Sequence, residues 1–215
     1  MNETKLRRQM VKASLELIDL GLNRGASGNL SVRFDNGFLI TPTGLSPEET
    51  STADIALMDF SGNWLGRCKP SSEWRFHRDI LAARPEVNVI VHTHSMFATT
   101  LACMGLDIPA FHYMIAVAGG KNIRCAPYAT FGEQALSDKA VKALEGRKAC
   151  LLGNHGMIVV GSSLTSTLSL AAEVEALCEQ YWRTLQVGKP HLLADAEMDI
   201  VLEKFKHYGT HTDKT

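Results

Sequence analysis

A short alternating run, a tight turn and a short apolar return constrain this chain most. Leu30, Val32 and Phe34 alternate with Asn29, Ser31 and Arg33; Asp35-Asn36-Gly37 then turns the chain, and Phe38-Leu39-Ile40 returns it. A period of two puts one set of side chains on one face of a half-buried strand. A turn rich in Asn and Gly between such runs signals a hairpin. An antiparallel hairpin this early excludes a purely parallel sheet, whose neighbouring strands need long crossovers.

The remaining pattern extends that frame. Leu6, Met10, Ala13, Leu17 and Leu20 share one helical stripe, ended by Gly21 and Gly25. A strand is expected at Ile55–Asp59, followed by a turn at Ser61-Gly62-Asn63. A helix is expected at Glu73–Ala83, stopped by Pro85. Val87–His94 reads as a buried strand and Phe97–Cys103 as a short helix. Glu133–Leu144 reads as a helix with Leu136, Ala140, Val141 and Leu144 inward. Ala149–Leu152 and Met157–Val160 are strands, and Leu164–Val187 is the longest helix. Glycines 153 and 156 are expected to bend the turn that carries His155. Strands outnumber crossover helices and no G-x-G-x-x-G is present, so the fold class is α/β with a mixed, mostly antiparallel sheet covered by helices. The whole chain, 1–215, reads as one domain with a polar, aromatic tail from about residue 204.

Composition narrows the function. Lys+Arg 22 against Asp+Glu 23 leaves a net charge of −1, which offers no electrostatic footprint for nucleic acid. No apolar run approaches the roughly 18 residues of a membrane span. Met1–Arg8 lacks the apolar stretch of a secretory signal. The 5 cysteines are scattered without a C-x-x-C, as expected for reduced thiols in a cytoplasmic protein. Met96, Met104, Met114 and Met157 read as core filling, and Trp64, Trp74 and Trp182 as packing residues. His77, His191, His207 and His211 show no ligand spacing.

Four features carry chemistry. His92 and His94 lie two apart at the end of an apolar strand and project from one face. They either hold a cation such as Zn²⁺ or form a hydrogen-bonded pair at the sheet surface. His155 is either a third ligand or an exposed turn residue. Glu73, in Pro70-Ser71-Ser72-Glu73, is either a helix-start capping residue or a general base and displaceable metal ligand. Gly28-Asn29, Thr41-Pro42-Thr43-Gly44 and Ser71-Ser72 are polar turns of the kind that bind phosphate through backbone N–H groups.

Eight blocks taken in order resemble the class II aldolase family of the fuculose-phosphate type. They are GLNRGASGNLSVR (Gly21–Arg33), LITPTG (Leu39–Gly44), KPSSEWRFH (Lys69–His77), VHTH (Val91–His94), IPAFHYMIAVAGG (Ile108–Gly120), APYATFG (Ala126–Gly132), NHG (Asn154–Gly156) and VLEKFKHYG (Val201–Gly209). The resemblance implies a three-layer α/β/α fold and a homotetramer with active sites between subunits. It implies His92, His94 and His155 as zinc ligands and Glu73 as an acid/base that also caps the metal. It implies Asn29, Thr43, Gly44, Ser71 and Ser72 as the phosphate cradle, Tyr113 as a proton relay from a neighbouring subunit, and Tyr208 in a closing tail. Co²⁺ and Mn²⁺ are alternative ions for such a donor set.

The implied reaction is C3–C4 cleavage of a ketose 1-phosphate to dihydroxyacetone phosphate and an aldehyde. L-fuculose 1-phosphate, giving L-lactaldehyde, ranks first. A 5-deoxyribulose or methylthioribulose 1-phosphate of nucleoside salvage ranks second. Epimerases, a dehydratase, a decarboxylase and a non-catalytic adducin-like module share the scaffold and rank lower. The glutamate of Pro-Ser-Ser-Glu and the His112-Tyr113-Met114 segment favour the aldolase branch.

Overall fold

The computed structural model describes residues 2–206. Helix α1 (Glu3–Asp19) is capped by the Asn2 side chain, which accepts from the Lys5 N–H. Leu6, Met10, Ala13 and Leu17 are buried. Leu20, expected on the same stripe, is the C-cap and 47% exposed, because the helix stops at Asp19 and Gly21 turns away with φ +71°. Strands β1 (Asn29–Phe34) and β2 (Gly37–Ile40) form the expected hairpin. Phe34 pairs with Gly37 across the turn, and Asp35 takes φ 47°. Then come β3 (Ala56–Asp59), the two-residue β4 (Trp64–Leu65), helix α2 (Trp74–Ala83) and β5 (Val89–Thr93). Helix α3 (Met96–Cys103), a 3₁₀ turn over Tyr113–Ala118, β6 (Arg124–Ala126) and α4 (Gln134–Ala143) follow. The chain continues through β7 (Ala149–Leu152), β8 (Gly156–Gly161), α5 (Leu164–Val187) and α6 (Asp195–Phe205).

The strands make one sheet in the order β4-β3-β2-β1-β5-β8-β7-β6. Every neighbouring pair is antiparallel except β6–β7. Alternation along the central strands feeds two cores. Leu30, Val32, Val89, Val91, Met157 and Val159 join α1, α3, α5 and α6 on one face. Phe38, Ile40, Ile90, Ile158 and Val160 join α2 and α4 on the other. The result is three layers, and each large aliphatic chain fully buried between them contributes roughly 1.5–3 kcal/mol.

Several expectations need correction. β1 is buried on both faces rather than half-buried, since Ser31 is as inaccessible as Leu30. A strand in the centre of a helix-covered sheet has no solvent side. Met96 and Met104 are exposed because they sit at the two ends of α3, whose inward residues are Ala98, Leu101 and Ala102. Trp64 is exposed on the short edge strand β4. Val141 is half-buried. α6 runs through Phe205, with Val201, Leu202 and Phe205 packed on the core, and residues 207–215 of the expected tail lie outside the described residues. The short β4 and β6, the 3₁₀ turn and α6 carried no clear periodic signal.

Candidate metal centre and active site

Four side chains from four places in the chain converge at one end of the central strands. Glu73 precedes α2, His92 lies in β5, His94 follows it, and His155 sits in the β7–β8 turn. One ligand atom from each lies within 4.8 Å of the others. His92 Nε2 is 3.0 Å from His94 Nε2 and 3.3 Å from Glu73 Oε2, and His155 Nε2 is 3.2 Å from Glu73 Oε1. Two donors each about 2.0–2.1 Å from a tetrahedral ion stand about 3.3–3.4 Å apart, so the set fits a single divalent cation. The three imidazoles meet edge to face, with centroids 4.7, 4.9 and 4.9 Å apart.

The local folding explains the convergence. His92 shares the face of Ile90 and is fully buried. Its Nδ1 lies 2.9 Å from the Met157 carbonyl, which can only accept, so Nδ1 carries the proton and Nε2 keeps its lone pair for the cluster. In the β7–β8 turn, Asn154 rather than a glycine takes the left-handed conformation, at φ 55°. The expected bend at Gly153 and Gly156 is therefore corrected. Both are glycines for close approach: a Cβ would meet Ala126 O at 2.9 Å and Thr93 O at 2.3 Å respectively.

Glu73 is the N-cap of α2 by position, yet its side chain makes no capping bond. The carboxylate turns inward, where Asn29 Nδ2 donates to Oε2 at 2.9 Å. Burial alone raises its pKa, but His92 and His155 outweigh burial and hold the carboxyl well below the usual carboxylate range. Burial, then His92 and His155, pull His94 down to about 4. Both shifts favour the deprotonated forms that ligate a metal.

Beside the cluster lies a cavity of about 330 Å³ lined by Gly28, Asn29, Thr43, Gly44, Ser71, Ser72, Glu73, His94 and His155. The five residues expected to cradle phosphate thus share one wall with the metal cluster. The 42–44 and 69–71 loops are stitched together: Thr43 N–H donates to Lys69 O at 3.1 Å and Ser71 N–H to Thr41 O at 2.9 Å. Tyr128, Ala129, Phe131 and Asn154 also line it, and sequence did not mark them as site residues. Among the described residues the wall carries hydroxyls, amides and glycine backbone and no lysine or arginine.

Tyr113 begins the 3₁₀ turn, is 52% exposed, stacks on His112, and is not among the lining residues. Tyr208, His207 and His211 lie outside the described residues. His77 was passed over for lack of ligand spacing. It is fully buried, with Nδ1 2.7 Å from Ser31 Oγ and Nε2 2.6 Å from Asn29 Oδ1. Burial, aided by His92 and opposed by Glu73, pushes it down to about 3, so it is a neutral imidazole. Glu175 of α5 was also missed. It accepts from Ser95 Oγ at 2.7 Å, Phe97 N–H at 2.7 Å and Ala98 N–H at 2.9 Å, capping α3 from a distant part of the chain.

Residues 8–182 match the family model described as Class II Aldolase and Adducin N-terminal domain. The 5-methylthioribulose-1-phosphate/5-deoxyribulose-1-phosphate aldolase of Rhodospirillum rubrum is 56% identical over 204 residues, covering 95% of this chain and 92% of that one. The L-fuculose phosphate aldolase of Escherichia coli strain K12 is 46% identical over 215 residues, all of both chains. Among solved structures, an L-fuculose 1-phosphate aldolase superposes with TM-score 0.90 at 40% identity, covering 94% of this chain and 96% of that one.

Proposed function

We propose, from the premise that this chain belongs to the class II aldolase and adducin N-terminal domain family, that it cleaves a 5-deoxy- or 5-methylthioribulose 1-phosphate between C3 and C4. The chain is a metal-dependent aldolase of that family and acts on small phosphorylated sugars. The products of the proposed cleavage are dihydroxyacetone phosphate and acetaldehyde or its methylthio derivative. The observation that carries the substrate is the 56% relative, whose printed name contains both sugars. A second reading, L-fuculose 1-phosphate giving L-lactaldehyde, rests on the 46% relatives that match the whole chain. The two tails differ by groups worth only roughly 1–3 kcal/mol in a pocket, so residue identity alone separates them poorly.

The donor set assigns the work. His92, His94 and His155, with Glu73 as a fourth and displaceable donor, would hold the cation, for which Zn²⁺ is the first choice and Co²⁺ or Mn²⁺ the alternatives. When bound, the cation supplies Lewis-acid stabilisation for negative charge on the oxygens of the three-carbon fragment. Asn29, Thr43, Gly44, Ser71 and Ser72 bind the phosphate with neutral donors and orient C3 toward Glu73. Tyr113, from a neighbouring subunit of a homotetramer, takes the C4 hydroxyl proton. Glu73, ionised at rest, takes up a proton from solvent and delivers it to C3, while Tyr113 releases the C4 hydroxyl proton to solvent, so the turnover neither gains nor loses a proton overall. Tyr208 would close the tail over the substrate. No helix among the described residues is long and apolar enough to cross a membrane, and the proposed setting is the cytoplasm.

The test is a panel of 5-deoxy-D-ribulose 1-phosphate, methylthioribulose 1-phosphate, L-fuculose 1-phosphate and L-ribulose 5-phosphate, read as dihydroxyacetone phosphate formed with and without chelator. Chelator-sensitive release with the highest kcat/KM for the ribulose 1-phosphates supports the proposal. A higher kcat/KM for L-fuculose 1-phosphate supports the second reading. Epimerisation of the 5-phosphate with no release from any 1-phosphate overturns both.

A further inference from the structure

The buried polar chain behind Glu73 reads in only one direction. Glu73 Oε2 is a carboxylate oxygen and can only accept, so the Asn29 atom facing it at 2.9 Å is the amide nitrogen. The Asn29 oxygen then faces His77 Nε2 at 2.6 Å, and an amide oxygen cannot donate, so Nε2 carries the imidazole proton. His77 Nδ1 is left with a lone pair and accepts from the Ser31 hydroxyl at 2.7 Å. Each member is settled by the next: Ser31 to His77, His77 to Asn29, Asn29 to Glu73.

The sheet register places this chain. Asn29 pairs with His92 and Ser31 with Ile90, so Asn29 and Ser31 face α2 alongside His92. Ser31 and His77 are fully buried, and Asn29 and Glu73 are buried apart from a small surface where they line the cavity. The two Glu73 oxygens are treated unequally. Oε2 is held by Asn29, whereas Oε1 is buried without a hydrogen bond, its 3.2 Å approach to His155 Nε2 lacking hydrogen-bond geometry.

We propose that His77 is a positioning residue for the cleavage reaction: through Asn29 it holds Oε2 of Glu73 and so fixes the aim of the carboxyl group that passes a proton to C3 of the substrate. The inference rests on the reading of Glu73 as the acid/base. Without His77, the Asn29 amide is free to flip and present its oxygen to the carboxylate, which repels it and lets Glu73 leave its aim. His77 touches neither substrate nor cation in this scheme. Its loss therefore lowers kcat and proton exchange first and raises KM less, through the phosphate contact that Asn29 also makes.

The experiment compares wild type, His77→Gln, His77→Leu, Ser31→Ala and Glu73→Gln, each with bound metal quantified. Cleavage kinetics are paired with solvent deuterium exchange at the hydroxymethyl carbon of dihydroxyacetone phosphate, which isolates the proton transfer. Nitrogen-15 NMR of wild type, with the His77 signal assigned by its absence in His77→Gln, reads the tautomer directly. The expected result is a neutral Nε2–H imidazole. His77→Leu loses about 10- to 100-fold in kcat and in exchange, with a smaller rise in KM and metal content near wild type, as outer-shell partners typically do. His77→Gln, which can accept and donate together, recovers part of that loss. If His77→Leu does not fold, Ser31→Ala and the tautomer decide. An Nδ1–H imidazole, or wild-type exchange in a folded His77→Leu or in Ser31→Ala together with His77→Gln, overturns the positioning role. Wild-type exchange in metal-loaded Glu73→Gln instead overturns the reading of Glu73 and leaves the hydrogen-bond direction standing.

Discussion

Replacing Glu175 with alanine should destabilise the protein by about 3 kcal/mol and loosen metal binding, although Glu175 belongs to neither the cluster nor the cavity wall. Its carboxylate accepts three hydrogen bonds at 2.7, 2.7 and 2.9 Å from Ser95 Oγ, Phe97 N–H and Ala98 N–H. Ser95 is the N-cap of α3 by position but makes no capping bond of its own, so the α5 carboxylate takes that role. Alanine leaves two first-turn N–H groups and one hydroxyl without partners. Full desolvation costs about 1–3 kcal/mol for each such group. Phe97 is only partly buried and regains water, so the total settles near 3 kcal/mol rather than the sum. Glutamine keeps one accepting oxygen and should lose about half as much.

The assay is urea unfolding of metal-free protein, followed by chelator competition for the ion in folded protein. Because His94 directly precedes Ser95, freeing the start of α3 should weaken metal affinity by about tenfold. In thermal unfolding, 3 kcal/mol corresponds to about 6–12 °C for a chain of this size. The reasoning is refuted if Glu175→Ala unfolds within about 0.5 kcal/mol of wild type, the scatter expected of neutral surface changes.

Gly28→Ala should raise KM for the sugar phosphate and cost about 1–3 kcal/mol of stability, measured by steady-state kinetics and unfolding. Gly28 has φ +77° at the cavity wall, and an added Cβ would sit 2.4 Å from Asn23 Oδ1. Asp54→Asn should lower the unfolding midpoint at pH 7, with the gap to wild type closing as pH falls. Hydrogen bonds from Ser51, Cys68 and Arg67 hold the Asp54 carboxyl well below its ordinary range. A depressed folded pKa gives stability that is present above the unfolded value, about 3.9, and lost as pH falls through the folded one. A gap independent of pH between 7 and 3 would count against that assignment. Mixing inactive Glu73→Gln and Tyr113→Phe proteins and reassembling the oligomer should restore activity at mixed interfaces, if Tyr113 serves a neighbouring subunit. No recovery in verified mixed oligomers would place Tyr113 in its own subunit's site or outside the reaction.

What the chain reveals along its length is local. The 35–37 turn commits β1 and β2 to a hairpin, and the apolar run into His92-Thr93-His94 marks a buried strand ending in paired imidazoles. The long stripe of Leu168, Ala171, Val174, Cys178 and Tyr181 spells out α5 with its bounds at Leu164 and Val187. These signals are legible because periods of 2 and 3.6 are properties of neighbouring residues. The candidate donors were legible as residue types, since His-x-His and the Asn-His-Gly turn stand out from their surroundings.

Tertiary structure decided the rest. The antiparallel pairing of β1 with β5 sets Asn29 opposite His92, and only that register brings His77, 48 residues away, onto Asn29. Glu175 reaches the start of α3 across 77 and 78 residues, a spacing with no periodic trace. Glu73 looks like a cap in one dimension and becomes a cluster member because Asn29 and the imidazoles stand inside the turn that it begins. Sequence therefore determined the long periodic elements and the residue types of the candidate donors. Long-range packing determined which polar side chains are buried together, because a buried polar group must find its partner wherever the fold supplies one.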